Sequence, residues 1–216
     1  MKETDLAKPV IAWLSDQHWE VYQEVQFSYG SSIADIVAVR NGIMWIIESK
    51  MSYGFDVLQQ ASRWPVHYRS IAIPSNKHNH RDYGVAEHYY RVGVLEVKVE
   101  YDDVWEIVKA PLVYRKINQV NYYRSKLVEL HKTFAPAGSK SGQHLTPYKW
   151  TMREVKRVIE ANPGCTIKDL YLLLGKMHYS NAGSFKGNLL KALIKYESWC
   201  KVDMNIKPYR LFVSSG

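Results

Sequence analysis

The dipeptide Asn41-Gly42, which stands between two strongly apolar runs, restricts the fold of this chain more than any other feature. Asn-Gly readily adopts the two positive-φ positions of a type I′ turn, so it predicts a two-residue β-hairpin loop. If these residues form the loop, Arg40 faces Ile43. The pairing then continues outward and places Asp35 directly opposite Glu48.

Both faces of this predicted strand pair are apolar. Successive side chains alternate between the faces of a strand, so each face can be assigned from the sequence. The face of Asp35 would also carry Val37, Val39, Met44 and Ile46, and the opposite face would carry Ile36, Ala38, Ile43, Trp45 and Ile47. This pattern is typical of central strands that are covered on both sides of a sheet.

Two acids and a lysine lie at the end of this pair. Lys50, two residues beyond Glu48, points to the same face as Glu48 and Asp35. Facing residues have Cβ atoms roughly 5 Å apart, and like charges at that distance destabilise a sheet unless something compensates them. An ordinary ion pair at a strand end explains the lysine, but it gives no reason to set two acids face to face. A bound divalent cation would compensate the repulsion.

The stretch ADIVAVRNGIMWIIESK, residues 34–50, resembles the core of the PD-(D/E)XK nuclease superfamily. It is most similar to the restriction-endonuclease-like and archaeal-type Holliday junction resolvase branches, over roughly residues 1–100. The resemblance implies that Asp35 and Glu48 bind Mg²⁺, with Mn²⁺ as the alternative ion. It also implies that Lys50 either orients and activates the attacking water or stabilises negative charge in the transition state. Ala34 stands where these families usually have proline.

A third acid and a glutamine complete the implied site. The resemblance gives the third metal ligand to an acid of the first helix, which is Glu3 here, although Glu24 on the next strand is the alternative. Pro9 is expected only in a first helical turn, which would place Glu3 at or just before the helix start. The segment LQQASRWPVHYRSIAIP is similar to a helix and fourth strand of many members, and it makes Gln60, or Gln59, a further catalytic candidate.

Positive charge is concentrated near the C-terminus of the chain. The net charge is +8, yet residues 1–139 hold 16 Lys or Arg and 16 Asp or Glu, whereas residues 140–216 hold 13 and 5. The segment FAPAGSKSGQHLTPYKW has the composition of a linker, and residues 112–134 before it have the pattern of a connecting helix on the core. The expected organisation is therefore a nuclease-like domain at 1–110, a connector at 111–147 and a basic domain at 148–216.

The C-terminal third has the pattern of three helices followed by a β-hairpin. Helix starts are predicted at Thr151, Thr166 and near Ser180, one helix end at Gly175, and a hairpin turn at residues 205–208. This order resembles a winged helix-turn-helix, which presents its third helix to DNA. The polar residues of that helix are the candidate DNA contacts, namely Ser180, Asn181, Ser184, Lys186, Asn188 and Lys191. Alternatively, they form only the solvated face of an amphipathic helix.

Other features narrow the functional classes. The two cysteines, Cys165 and Cys200, have no metal-ligand spacing, and no signal peptide or apolar run near 18 residues is present, so a soluble cytoplasmic protein without a membrane partner is expected. The tripeptide His78-Asn79-His80 lacks the spacing of an HNH nuclease motif.

The expected fold is α/β, a restriction-endonuclease-like mixed sheet flanked by helices, with a small α+β winged-helix domain. The expected activity is a Mg²⁺-dependent DNA endonuclease acting on duplex or branched DNA, as a monomer or homodimer. The alternatives are a catalytically silent DNA-binding or regulatory protein with the same fold, and RNA as the substrate.

Overall fold

The computed structural model describes residues 1–28, 30–75, 83–113, 117–139 and 142–214. His78-Asn79-His80 therefore lies outside the described residues. The chain divides into two compact units, residues 1–145 and 146–216. The described residues between 111 and 145, which the sequence assigns to a connector, belong to the first unit. Among the described helices, none is long and apolar enough to cross a membrane.

The first unit is a six-stranded mixed sheet with helices packed against it. Its elements are α1 (Glu3–Asp16), β1 (Glu20–Gln26), β2 (Ile33–Arg40), β3 (Ile43–Ser49), α2 (Phe55–Ser62), β4 (Tyr68–Pro74), a π-helix (Val85–Tyr90), β5 (Gly93–Lys98), a 3₁₀ turn (Val99–Tyr101), β6 (Asp103–Val108), α3 (Ile117–Arg124) and a second 3₁₀ turn (Glu129–Lys132). The strands follow one another across the sheet in chain order. Strands β3, β4 and β5 are parallel, and the other neighbours are antiparallel. The predicted α/β class is confirmed.

The central hairpin has the predicted register. Asn41 and Gly42 both have positive φ angles, 51° and 78°, and Arg40 pairs with Ile43. Both predicted faces are buried. Ile36, Ala38, Trp45 and Ile47 pack in a core with α1, whereas Val37, Met44 and Ile46 pack in a second core with Trp64, Val66 and Val120. The strand pair is therefore central and covered on both sides, as predicted.

Helix α1 begins at Glu3, and the backbone N–H of Lys2 donates to the Asp5 carboxylate at 2.7 Å. Its apolar residues Leu6, Val10 and Leu14 are fully buried. The expectation that Pro9 would lie in the first turn is wrong, because Pro9 lies inside the helix, where it cannot donate a backbone hydrogen bond. Its side chain is buried.

The predicted connecting helix is much shorter than the apolar pattern indicates. Within the described part of residues 112–134, α3 ends at Arg124 and a 3₁₀ turn follows at Glu129–Lys132. The Ser125 hydroxyl donates to the carbonyl of Tyr122 and so competes with helix continuation. The packing on the core is confirmed, since Val120 and Leu127 contact the second core.

The second unit contains α4 (Pro147–Ala161), α5 (Ile167–Leu174), α6 (Ala182–Lys195) and an antiparallel pair, β7 (Cys200–Asp203) and β8 (Arg210–Val213). Its core includes Val155, Leu170, Phe185, Leu189 and Leu211. The predicted hairpin turn, the cap at Thr166 and the helix end at Gly175 are confirmed.

One predicted helix start in the second unit, at Thr151, is wrong. Helix α4 begins at Pro147, and the Thr146 side chain caps it by accepting the N–H of Lys149 at 3.0 Å. Thr-Pro is a strong start signal, but it lies inside the segment that has the composition of a linker. Thr151 is buried, and its hydroxyl donates to the carbonyl of Pro147. The predicted start of α6 near Ser180 is confirmed, with Asn181 as its N-cap.

Candidate functional site

Asp35 on β2 and Glu48 on β3 are buried together at one end of the central hairpin. Asp35 is 9% exposed and Glu48 is 0% exposed. The pairing of Ile36 with Ile47 makes Asp35 and Glu48 the next facing residues outward. An Asp35 Oδ2 atom accepts the backbone N–H of Ser49 at 2.8 Å, which ties Asp35 to the end of β3.

Burial changes the proton affinity of both acids. It raises the pKa of Asp35 to about 6, although the positive charge of Lys50 and the Ser49 amide act in the opposite direction. Burial and the neighbouring charge of Asp35 raise the pKa of Glu48 well above its usual value. Two buried carboxylates in one place therefore bind protons at pH values where exposed carboxylates are ionised.

Glu48 is held by two side-chain donors. The indole Nε1–H of Trp64 donates to Oε1 at 2.6 Å, and the Nε2–H of Gln60 donates to Oε2 at 2.7 Å. Gln60, a predicted catalytic residue, lies on α2 and thus contacts an acid of the predicted site. No sequence pattern assigned a role to Trp64. A buried indole needs a hydrogen-bond acceptor, and here the acceptor is the Glu48 carboxylate.

Lys50 links the acids to the start of α1. Its ammonium nitrogen lies 3.2 Å from both carboxylate oxygens of Glu3. Partial burial lowers the pKa of Lys50, but the charges of Asp35, Glu3 and Glu48 outweigh it, and the net shift is upward. Lys50 is therefore a cation at neutral pH. Glu3, the predicted third ligand, contacts this cation in the structure.

Glu24, the alternative third acid, lies beside Asp35. The residues on either side of it on β1 pair with β2, which leaves Glu24 opposite Asp35. Glu24 is 4% exposed and has a φ angle of 49°, which is uncommon for a residue other than glycine. Burial, followed by the charge of Asp35, raises the pKa of Glu24 to about 7.

A loop from the predicted linker completes this side of the site. The N–H groups of Gly138 and Ser139 donate to Glu24 Oε1 at 2.7 and 3.1 Å. Gly138 has a φ angle of 77°, and a Cβ there would lie 2.7 Å from the backbone of Glu3. Glycine is therefore required for this approach. The interpretation of residues 134–139 as a linker is wrong, because they pack on β1 and the start of α1.

Asp35 and Glu48 are the candidate metal ligands of this site. Within the described ranges, no group of three or more His, Cys, Asp or Glu side chains is arranged to hold a metal ion. Mg²⁺, however, often takes only one or two protein carboxylates and completes its shell with water and substrate phosphate. Asp35 and Glu48 fit this pattern, since each ionised carboxylate has about four acceptor positions and the one neighbouring cation, Lys50, is shared with Glu3.

The predicted DNA contacts on α6 fall into two groups. Lys186 and Lys191 are exposed on the helix. The side chains nearer its start are engaged within the helix: Asn181 Oδ1 accepts the N–H of Ser184 at 2.8 Å, and Asn188 Nδ2 donates to Ser184 Oγ at 3.2 Å. Ser180 is exposed and accepts a long hydrogen bond from Asn181, 3.4 Å. The cap explains Asn181 without any ligand.

Comparisons with known proteins add little to this geometry. No protein-family model matches the chain. No curated protein matches it either. Among solved structures, it is similar to the SPO1766 protein of unknown function from Silicibacter pomeroyi, with a TM-score of 0.42 and 19% sequence identity over 56% of this chain and 80% of that chain. A similarity of this size assigns neither a family nor a function.

Proposed function

We propose that this protein is a metal-dependent DNA endonuclease of the PD-(D/E)XK type, with Mg²⁺ as its ion. The observation that carries the proposal is the burial of Asp35 and Glu48 side by side, with Lys50 beside them. Such a buried pair destabilises the folded chain when no metal ion is bound. Perturbed carboxylates with a specific charged neighbour are characteristic of catalytic sites.

Each residue has a distinct role in this proposal. Asp35 and Glu48 would hold the ion, which would polarise the scissile phosphate and activate a water molecule. The ammonium of Lys50 would stabilise negative charge that develops on the phosphate. Glu3 holds Lys50 in place, and Gln60 with Trp64 fixes the orientation of Glu48. These supporting contacts are of the kind that tune metal affinity.

The second unit would supply DNA affinity as a winged helix. Residues 146–216 hold 12 Lys or Arg and 5 Asp or Glu, and the unit has three helices followed by a β-hairpin. In such domains the third helix lies in the major groove and basic side chains contact phosphates. Helix α6 presents Lys186 and Lys191 to solvent. RNA remains the alternative substrate, because phosphate contacts do not distinguish RNA from DNA.

A cleavage assay tests the activity. Supercoiled plasmid, single-stranded, flap and four-way-junction DNA would be incubated with Mg²⁺, with Mn²⁺ and with a chelator. We expect ion-dependent cleavage of at least one DNA by the natural protein and none by Glu48→Gln. Asp56→Asn, which changes an exposed acid on α2, is the matched control and should cleave normally. Binding of DNA without cleavage under all conditions would instead favour the catalytically silent alternative.

Replacing Trp64 by phenylalanine should reduce cleavage about 10- to 100-fold, because Glu48 would lose one of its two donors. The same loss should raise the pKa of Glu48 further, since the indole hydrogen bond lowers it. Half-saturating Mg²⁺ concentration and the pH profile of cleavage measure both effects. Trp105→Phe, at an exposed position of β6, should change neither. An unaltered Mg²⁺ dependence in Trp64→Phe would contradict the role given to Glu48.

Replacing Lys186 and Lys191 together by alanine should weaken binding to all DNA sequences alike. Neutralised phosphates release counterions, so the slope of log affinity against log salt should fall by about one unit for each phosphate that the variant no longer neutralises. Fluorescence anisotropy of the full chain across a salt series measures this slope. An unchanged slope would show that α6 does not contact the DNA backbone.

A further inference from the structure

The second unit contains a groove of about 430 Å³ between the start of α5, the middle of α6 and the turn between β7 and β8. Its apolar lining includes Ile167, Leu190 and the ring of Tyr209, and its basic lining consists of Lys168, Lys186 and Lys207. The volume lies within the roughly 300–1,000 Å³ that is usual for ligand pockets. Lys168 and Lys207 lie outside the set of DNA contacts predicted from α6.

The charge of the groove is positive. Three lysines reach it from three separate elements, and no acidic side chain lines it among the described residues. The nearby Asp169, whose carboxylate accepts the N–H and the hydroxyl of Thr166 at 2.8 Å each, also interacts with the charge of Lys168. Lys186 also lies 5.5 Å from the ring centroid of Tyr171. Three lysines against one neighbouring carboxylate leave the groove with an apolar lining and a net positive charge.

This combination restricts the ligand. A simple anion would gain nothing from the apolar side chains, and an uncharged apolar ligand would gain nothing from three lysines. A nucleotide carries both a phosphate for the lysines and a flat ring that can pack on Tyr209. In a duplex the base faces are stacked on one another, so only an unpaired nucleotide offers its ring to a concave surface.

We propose that this groove binds an unpaired nucleotide of a DNA strand, such as a single-stranded tail or an opened strand at a branch. This proposal rests on the proposed function and deepens it, because it specifies the class of DNA that the protein prefers. Branched, tailed and flap substrates contain such nucleotides, whereas a blunt continuous duplex does not.

The test compares two labelled DNAs that bind to the full chain in the absence of divalent cations. One is a blunt duplex, and the other is the same duplex with a single-stranded tail. We expect about tenfold tighter binding of the tailed DNA by anisotropy. The ratio of the two affinities isolates the groove, because non-specific phosphate contacts affect both DNAs.

Two variants address the two parts of the groove. Replacing Lys168 and Lys207 together by alanine, and separately replacing Tyr209 by alanine, should each reduce the preference for the tailed DNA towards unity. Lys168 and Lys207 are both exposed, so their replacement leaves the core intact. Arg153→Ala with Lys195→Ala is the control, because both side chains are exposed and neither lines the groove. This control should keep the preference.

The results of these binding experiments distinguish a failure of the groove assignment from a failure of the proposed endonuclease function on which it rests. Equal binding of the two DNAs, or groove variants that behave like the control, would overturn the groove assignment while Mg²⁺-dependent cleavage of blunt DNA would still support the endonuclease. Failure to bind any DNA would remove both proposals. Titration with dAMP distinguishes the source of the nucleotide: binding as tight as that of the tailed duplex would mean that a free nucleotide, and not a strand, is the ligand.

Discussion

Replacing Asp35 by asparagine is expected to abolish metal-dependent cleavage and, in the same protein, to increase the stability of the metal-free fold at neutral pH. Both effects have one cause. The carboxylate that would hold the ion is also a buried charge beside Glu48. Asparagine keeps the size of the side chain but removes the charge and most of the affinity for Mg²⁺.

The pH dependence gives the sign of the stability effect. The pKa of Asp35 rises from 3.8 to about 6 on folding, mainly because of burial, so the folded state binds a proton more tightly than the unfolded state. The carboxyl group costs nothing below the lower value, and its cost grows as the pH rises to about 6 and is complete above it. At about 1.4 kcal/mol for each pKa unit, this cost is on the order of 3 kcal/mol.

Urea unfolding of the metal-free protein measures this prediction. The natural protein should lose stability as the pH rises between these two values, and Asp35→Asn should lose less. Asp56→Asn, at an exposed position, should follow the natural protein. If Asp35→Asn is less stable than the natural protein above pH 6, or cleaves DNA normally, Asp35 does not carry the role given to it.

Replacing Lys50 by methionine should lower the rate of cleavage about 10²- to 10³-fold, the size expected when one charge-stabilising group is removed. Methionine retains the long unbranched side chain but cannot stabilise negative charge on the phosphate. The acidic limb of the pH–rate profile should also move to higher pH. Lys50 lowers the pKa of both Asp35 and Glu48, so these acids ionise at higher pH once it is removed.

The rate of cleavage at saturating Mg²⁺, measured across pH, distinguishes this role from a structural one. A variant that is only misfolded would lose activity at every pH without a shift in the profile. Glu3→Gln serves as a comparison, because it removes the ion-pair partner of Lys50 and keeps the ammonium. It should reduce the rate less than Lys50→Met does. Equal losses in both variants would assign the main role to Glu3.

The register of the central hairpin and several caps and turns could be predicted from the sequence, because they depend on residues that are close together in the chain. Asn41-Gly42 defines a turn, the turn defines the register, and the register brings Asp35 to Glu48. The same rules located Thr166 as a helix cap and the turn between β7 and β8. In each case the interacting residues are close in sequence, so little depends on tertiary packing.

The contacts that could not be predicted join distant parts of the chain. The amide of Gly138 reaches Glu24 across 114 positions, and its segment looks like a linker because Pro, Gly and Ser dominate it. Trp64 lies in a segment of ordinary core composition, and its bond to Glu48 depends on how α2 packs against β3. The Pro9 prediction failed for a related reason, since tertiary burial overrode a local preference.

The sequence resemblance and the structure favour different residues as the third acid of the site. Sequence resemblance favours Glu3, whereas the structure joins Glu3 to Lys50 and buries Glu24 beside Asp35. Glu24 and Glu3 both contact the Gly138 segment, one through its carboxylate and the other through its backbone. We therefore expect a change at Glu24 to alter metal affinity, and a change at Glu3 to alter chiefly the behaviour of Lys50.

Calorimetric titration of the protein with Mg²⁺ shows whether Asp35 and Glu48 hold the ion. At a pH between the raised values of Asp35 and Glu24, about 6 and about 7, ion binding should release protons, because the ion displaces them from buried carboxylates. Repeating the titration in buffers of different ionisation enthalpy counts those protons. We expect Mg²⁺ binding with proton release in the natural protein and in Asp56→Asn, and loss of that binding in Asp35→Asn and Glu48→Gln. Mg²⁺ binding that persists unchanged in both site variants, or no binding by the natural protein in the presence of DNA, would contradict this expectation.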